Sequence, residues 1–135
     1  MDANFNYQNN YLFVYGTLLD DANEFGAYLK KNLQFFAEGK FNGLLYDIGK
    51  YPGAIYHPGG DAYVYGSVLI LNDVEKDLTL LDAYEGFGEH EEQPNLFVRE
   101  LIAVDIGQEL LTCWVYLYNR PVEDNIRIVS GRYFG

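Results

Sequence analysis

The sequence contains little cysteine and few basic residues, and each shortage excludes a class of protein. Cys113 is the only cysteine, so the chain forms no intramolecular disulfide and no multi-cysteine metal site. Nine lysine and arginine residues are set against 20 aspartate and glutamate residues, which gives a formal net charge of −11. A field of this sign repels phosphate backbones, so we expect no nucleic-acid partner.

Long hydrophobic runs are also missing. No uninterrupted apolar stretch approaches the ~20 residues that span a membrane, and the polar first residues carry no basic segment of the signal-peptide kind. We therefore expect no membrane association and no signal peptide. The lone cysteine is compatible with a reducing compartment, and we predict a cytoplasmic protein.

The chain does contain enough apolar material for one core. Hydrophobic residues make up 49 % of its 135 residues, and this length fits one domain. Thirteen tyrosines and nine phenylalanines favour strands, because rings pack well on a pleated surface. We predict a flexible N-terminal arm over residues 1–10 and one folded domain over residues 11–135.

The order of apolar runs and turn signals predicts an α+β fold. Residues 11–15 form a continuous apolar run, which is typical of a central strand covered on both faces. A helix capped by Asp20 or Asp21 follows, with Tyr28 and Leu29 on its inner face. Further strands are predicted over residues 34–48, 54–56, 62–71, 96–106 and 110–118. Bends within them, with bulges predicted at Gly39 and Gly43, favour a closed or partly closed β-barrel.

The second helix is predicted from residue 72 to Glu85. Asn72 followed three residues later by Glu75 has the spacing of a capping box. Gly86 stands where a glycine ends a helix in the left-handed conformation.

Glu85 is a carboxylate on the wrong face of that helix. It follows Leu81 by four residues and Leu78 by seven, so all three share the face turned to the core. Burial and the negative end of the helix dipole both raise the pKa of a carboxyl group, which suits a general base. If the helix frays at Ala83, Glu85 turns into solvent instead, and the pattern leaves both readings open. Asp82, three residues before Glu85, could supply a second carboxylate nearby, but it is expected to be solvated or bonded to backbone.

Gly16 and Thr17 come directly after the first strand and before a helix. Backbone N–H groups in this geometry converge on one point and bind an anion, and glycine permits close approach. An ordinary turn has the same sequence pattern. The loop therefore becomes a candidate site only in combination with Glu85.

The remaining side chains that could be reactive are interpreted as structural and not as catalytic. His57 and His90, with Glu89, Glu91 and Glu92 nearby in sequence, match no standard metal-ligand spacing, and residues 86–95 are predicted to form a solvated acidic loop. We predict no metal site. Cys113 lies on a predicted strand beside Trp114 and is interpreted as a packing residue. Arg99 is expected to form an ion pair near the site.

Several motifs, in this order, resemble the γ-glutamylcyclotransferase-like superfamily, which includes the AIG2-like proteins. They are Val14-Tyr15-Gly16-Thr17-Leu18, residues 43–53, Gly66, Leu81-Asp82-Ala83-Tyr84-Glu85-Gly86, Phe97-Val98-Arg99 and residues 113–118. The resemblance covers about residues 11–131 and is greatest for short bacterial members, of the γ-glutamylamine and aminoglycoside-pathway (butirosin-type) cyclotransferases. With the element order above, it implies a single-domain, mixed, largely antiparallel β-barrel with two main flanking helices, and no metal or organic cofactor.

The resemblance also implies a reaction. Tyr15, Gly16, Thr17 and Leu18 match the substrate loop, whose backbone amides hold the α-carboxylate of a small-molecule γ-glutamyl substrate. Glu85 matches the catalytic glutamate, which takes a proton from the α-ammonium group. The freed amine attacks the γ-carbonyl, 5-oxoproline forms, and the attached amine leaves.

One residue departs from the family pattern. Many members have tyrosine where this chain has Phe97, so the ring is kept and the hydroxyl is lost. By family position Tyr51 also borders the pocket. Tyr116 lies on a predicted strand, and its side chain either packs in the core or lines the pocket. Two functions follow: the enzyme, or a non-catalytic small-molecule binding module of the same fold that has lost turnover.

Overall fold

The computed structural model describes residues 10–16, 24–49 and 51–133, and within them the chain forms two helices and seven strands. In chain order these are β1 (Tyr11–Val14), α1 (Glu24–Asn32), β2 (Gln34–Asp47), β3 (Pro52–Tyr56), β4 (Tyr63–Ile70), α2 (Val74–Glu85), β5 (Phe97–Asp105), β6 (Leu110–Tyr118) and β7 (Ile126–Arg127). The caps predicted at Asp20 and Asp21, and residues 1–9 of the arm predicted over residues 1–10, lie outside the described residues.

Five strands close into a barrel. They follow one another as β2, β4, β1, β6 and β5, and β5 pairs back onto β2 where Asp105 lies opposite Lys40. Every pairing is antiparallel except that of β1 with β6. The second half of β2 leaves the barrel and pairs with β3 and β7. The predicted α+β barrel with two helices is confirmed.

β1 is covered on both faces, which explains its uninterrupted apolar sequence. Phe13 and Tyr15 point into the barrel interior and pack with residues of the other barrel strands. Leu12 and Val14 point outwards and pack against Leu81 of α2 and its apolar neighbours. Because side chains alternate along a strand, one short run serves two cores.

The bulge in β2 is not at the predicted glycines. The pairing of β2 with β4 shifts between Phe35 and Ala37, whereas Gly39 and Gly43 lie in regular register. The glycines serve close approach instead. A Cβ on Gly39 would lie 2.7 Å from Val104, and one on Gly43 would lie 2.6 Å from the carbonyl oxygen of Ile55.

The ends of α2 fix the direction of its last turn. The N-cap is Asp73, one residue later than the predicted Asn72, and the Asp73 carboxylate accepts from the Lys76 amide at 3.2 Å. Gly86 ends the helix with φ 71° and ψ 36°, as predicted. Buried Asp77 also holds the start of the helix, because it accepts from the Tyr28 hydroxyl of α1 at 3.0 Å.

Candidate active site

One cavity of about 270 Å³ opens where β1, β3, α2, β5 and β6 meet. Its volume is slightly below the range that is typical of small-molecule sites, about 300–1,000 Å³. Apolar and aromatic side chains form most of its wall, and Glu85 is the only charged residue among the described residues that line it. The lining residues are Phe13, Val14, Tyr15, Gly16, Tyr51, Pro52, Tyr84, Glu85, Leu96, Phe97 and Tyr116.

The carboxylate of Glu85 faces this cavity from the last turn of α2. Leu78 and Leu81, on the same face of the helix, are buried in the core. The helix is regular through Glu85, so the fraying interpretation is wrong. Burial raises the pKa of the Glu85 carboxyl group to about 7, because an apolar surrounding disfavours the charged form. A carboxyl group with this pKa exchanges protons near neutral pH.

Two tyrosine hydroxyls in the cavity wall already form hydrogen bonds within the protein. Tyr15 donates to the backbone carbonyl of Tyr116 at 2.5 Å, and its oxygen accepts from the Ala54 amide at 3.2 Å. Tyr116 donates its own hydroxyl proton to Asp82 at 2.6 Å. Burial raises the pKa of both hydroxyl groups, so both stay protonated. Neither has a proton left to donate to a ligand.

Tyr51 differs from these two. Its ring packs against Phe97 with centroids 5.9 Å apart, and Phe97 packs in turn against Tyr118 at 5.6 Å. The hydroxyl of Tyr51 makes no hydrogen bond to any residue in the described part of the chain, and its pKa is raised by burial and then by Tyr118 and Glu85. Tyr51 is therefore a protonated hydroxyl beside Glu85 that is open to a bound molecule.

Asp82 forms an ion pair with Arg99 near the cavity, so the prediction that it is solvated or bonded to backbone is wrong. Its carboxylate accepts from Arg99 Nε at 2.7 Å and from a second guanidinium nitrogen at 3.0 Å. The guanidinium lies over the ring of Trp114, with the carbon 4.4 Å from the centroid, and 5.6 Å from that of Phe87. The ion pair predicted for Arg99 near the site is confirmed.

The predicted site residues that are described meet in one place. Tyr15, Gly16, Tyr51, Phe97, Tyr116 and Glu85 all line the cavity. Thr17 and Leu18 lie outside the described residues. Tyr84, Leu96 and Pro52 also line the cavity and were not predicted as site residues. Each is next in sequence to a predicted one, and this adjacency is the signal that could have found them.

The other candidates lie elsewhere. Burial raises the pKa of the Cys113 thiol to about 12, which fits a packing residue. In residues 10–16, 24–49 and 51–133, no three His, Cys, Asp or Glu side chains come together as a metal-ligand set. Asn95 ties the loop after α2 together, because its side chain accepts from the Gly88 amide and donates to the Gly88 and Glu92 carbonyls.

Residues 12–134 match the family described as "Gamma-glutamyl cyclotransferase, AIG2-like". The chain belongs to this family. A curated relative, the "Gamma-glutamylcyclotransferase family protein ytfP" of Citrobacter rodentium, is 31 % identical over 123 residues. The match covers 90 % of this chain and 93 % of that protein.

Solved structures agree with the family assignment. The solution structure of protein ytfP from Escherichia coli superposes with a TM-score of 0.65 at 29 % identity, covering 91 % of this chain and 95 % of that one. A mouse AIG2-like protein superposes with a TM-score of 0.64 at 22 % identity, covering 83 % and 80 % of the two chains. At that identity the mouse structure shows a shared fold.

Within the described part of the chain, neither helix has the length and hydrophobicity that a membrane span requires.

Proposed function

We propose that this family member is a cofactor-independent γ-glutamyl cyclotransferase that releases 5-oxoproline and an amine from a γ-glutamyl amine or γ-glutamyl amino acid. The observation that carries the proposal is Glu85: a single carboxylate with a pKa of about 7, in an apolar cavity that it shares with Gly16. A base poised near neutral pH is what removal of a proton from an ammonium group requires.

The cavity offers a place for each end of a γ-glutamyl group. The backbone at Gly16 follows a buried strand, and its amide, with those of Thr17 and Leu18, is proposed to bind the α-carboxylate. Space there is tight, because a Cβ on Gly16 would lie 2.4 Å from the Cγ atom of Pro52. The α-ammonium group then lies towards Glu85, and the Tyr51 hydroxyl is available to the γ-carbonyl oxygen.

The proposed reaction needs one base and no external nucleophile. The Glu85 carboxylate takes a proton from the α-ammonium group, and the α-nitrogen forms a bond to the γ-carbonyl carbon. The bond from that carbon to the attached amine breaks, and protonated Glu85 returns its proton to the departing nitrogen. The second proton, which the ring nitrogen loses on becoming an amide, also passes to the departing amine, and this amine leaves as an ammonium ion. Because the attack is intramolecular, positioning supplies much of the rate.

The decisive experiment measures 5-oxoproline. The purified chain is incubated with γ-glutamyl amines and γ-glutamyl amino acids, and the released 5-oxoproline and amine are quantified together. Equimolar release of both supports the proposal. Saturable binding by calorimetry without release, in every case, would support the binding module that has lost turnover. Phe97 is the feature that favours this second function, since its ring lines the cavity without a hydroxyl.

We expect a preference for leaving amines that carry positive charge. The chain has a formal net charge of −11, and tyrosine and phenylalanine faces surround Glu85 in the cavity. Long-range attraction raises the encounter rate of a cation, and aromatic faces hold it. Charges farther apart than about 8 Å are screened at 0.15 M salt. The kcat/KM for a γ-glutamyl polyamine should therefore fall as salt is added.

The matched control is a γ-glutamyl derivative of a neutral leaving amine, whose kcat/KM should change little with salt. Equal salt responses for the two substrates, or a preference for leaving groups that carry carboxylates, would contradict the preference. In that case the net charge of the chain serves solubility alone.

A further inference from the structure

The ion pair between Asp82 and Arg99 has no direct part in the proposed reaction, because neither residue lines the cavity. It nevertheless has a well-defined hydrogen-bond geometry. Three hydrogen bonds converge on the Asp82 carboxylate, two from Arg99 and one from the Tyr116 hydroxyl, at 2.6–3.0 Å. A bidentate pair between arginine and a carboxylate has a fixed geometry, so it orients whatever it joins.

What the pair joins is the end of α2 and the two strands across the cavity. Asp82 belongs to the last turn of α2, and its backbone carbonyl also accepts from the Phe87 amide at 2.9 Å. Arg99 lies on β5 and Tyr116 on β6. Glu85 follows Asp82 by three residues, and side chains at this spacing are neighbours on a helix. The contact therefore joins the helical turn that carries Glu85 to β5 and β6.

The pair also bears on the charge state of Glu85. The titratable groups that face Glu85 from other elements are tyrosines: Tyr15 directly after β1, Tyr51 before β3 and Tyr116 on β6. All three are neutral at pH 7, because burial raises their pKa values. On α2 the charged residue nearest to Glu85 in sequence is Asp82, and Arg99 balances its charge. The raised pKa of Glu85 is therefore due to burial and not to a neighbouring negative charge.

We propose that Arg99 acts through Asp82 as a positioning residue: it holds the last turn of α2, with the base Glu85, against the cavity, and it cancels the negative charge of Asp82 behind that base. The consequence for turnover rests on the proposed cyclotransferase function. The electrostatic consequence does not, since it concerns the free protein.

Substitutions of the two partners should move the pKa of Glu85 in opposite directions. Arg99→Met leaves the Asp82 carboxylate uncompensated one turn from Glu85, which raises that pKa by about half a unit or more. Asp82→Asn leaves the Arg99 cation uncompensated and lowers it by a similar amount. The double variant carries neither charge and should titrate close to the wild type.

The measurement is a carbon-13 NMR titration of side-chain carboxyl groups without substrate, in which the Glu85 signal is identified by its loss in Glu85→Gln. Thermal unfolding of each variant shows that it is folded. If Arg99→Met does not fold, the downward shift in Asp82→Asn decides. Shifts of the same sign in both single variants, or no shift in either, would overturn the proposal.

Turnover supplies an independent readout of positioning. All three variants should lose about tenfold or more in kcat, because a displaced base is badly oriented. Arg99→Lys keeps the charge without the bidentate geometry, so it should restore the titration of Glu85 and only part of kcat. Unchanged kcat in Arg99→Met would overturn the positioning role. If the wild-type chain releases no 5-oxoproline, the proposed function fails, whereas the titration still decides the coupling of Arg99 to Glu85.

Discussion

Replacing Glu85 by glutamine is expected to lower kcat by at least ~10²-fold, the scale of a lost general base. Glutamine has nearly the same shape and fills the same place in the cavity wall, but it takes up no proton from the α-ammonium group. The variant is assayed by 5-oxoproline release at saturating substrate. Near-normal kcat would exclude Glu85 as the base.

The matched control is Glu89→Gln, which removes the same charge from an exposed position in the loop after α2 and should leave kcat unchanged.

We expect Glu85→Gln to stay folded, so that unfolding does not explain its loss of activity. The pKa of Glu85 is raised from its usual 4.5 to about 7 in the folded chain, so its protonated form stabilises the fold below pH 4.5 and this contribution is lost as the pH rises through 7. Above pH 7, Glu85→Gln should unfold at the same temperature as the wild type or higher.

The pH dependence of the wild-type enzyme is expected to follow the same group. Since the base must be ionised to accept a proton, kcat/KM should rise with pH and level off above the pKa of Glu85, about 7. Below that value it should fall about tenfold per pH unit, to about one hundredth of its plateau at pH 5. The measurement is kcat/KM from pH 5 to pH 8 in buffers of constant ionic strength.

A carboxyl group in an ordinary solvated environment gives a different profile. It would have a pKa near 4.5 and leave kcat/KM flat from pH 5.5 upwards. That outcome would mean that the cavity around Glu85 is wet in solution, and it would remove the physical basis for Glu85 as a tuned base. The residual activity of Glu85→Gln should show no step at pH 7, which assigns the step in the wild type to this side chain.

The elements that carry Glu85 were predictable because their signals are local. Leucines spaced along α2 and a glycine after its end place Glu85 on the buried face if the helix stays regular through its last turn, and only the structure decides that it does. The cap was predicted one residue early, since Asn72 and Asp73 are both good caps and the choice falls to Asp73, whose side chain accepts from the Lys76 amide.

What the sequence could not provide depends on register between distant strands. The partners of Asp82 come from β5 and β6, 17 and 34 residues away, and they meet only because Arg99 lies opposite Tyr116 in the pairing of these strands. The bulge of β2 is likewise set by its alignment with β4 and not by its glycines. Nothing in a local pattern carries such information.

The packing of Arg99 on Trp114 makes this ion pair visible by optical spectroscopy. Trp114 is the only tryptophan in the chain, so light absorbed selectively by indole excites one known position. The guanidinium carbon of Arg99 lies 4.4 Å from the centroid of that ring. We expect the wavelength of the indole emission to shift when this charge moves towards the ring or away from it. The chain thus contains its own fluorescent reporter beside the last turn of α2. Changes at the Asp82–Arg99 pair during titration or ligand binding are therefore open to stopped-flow measurement without a label.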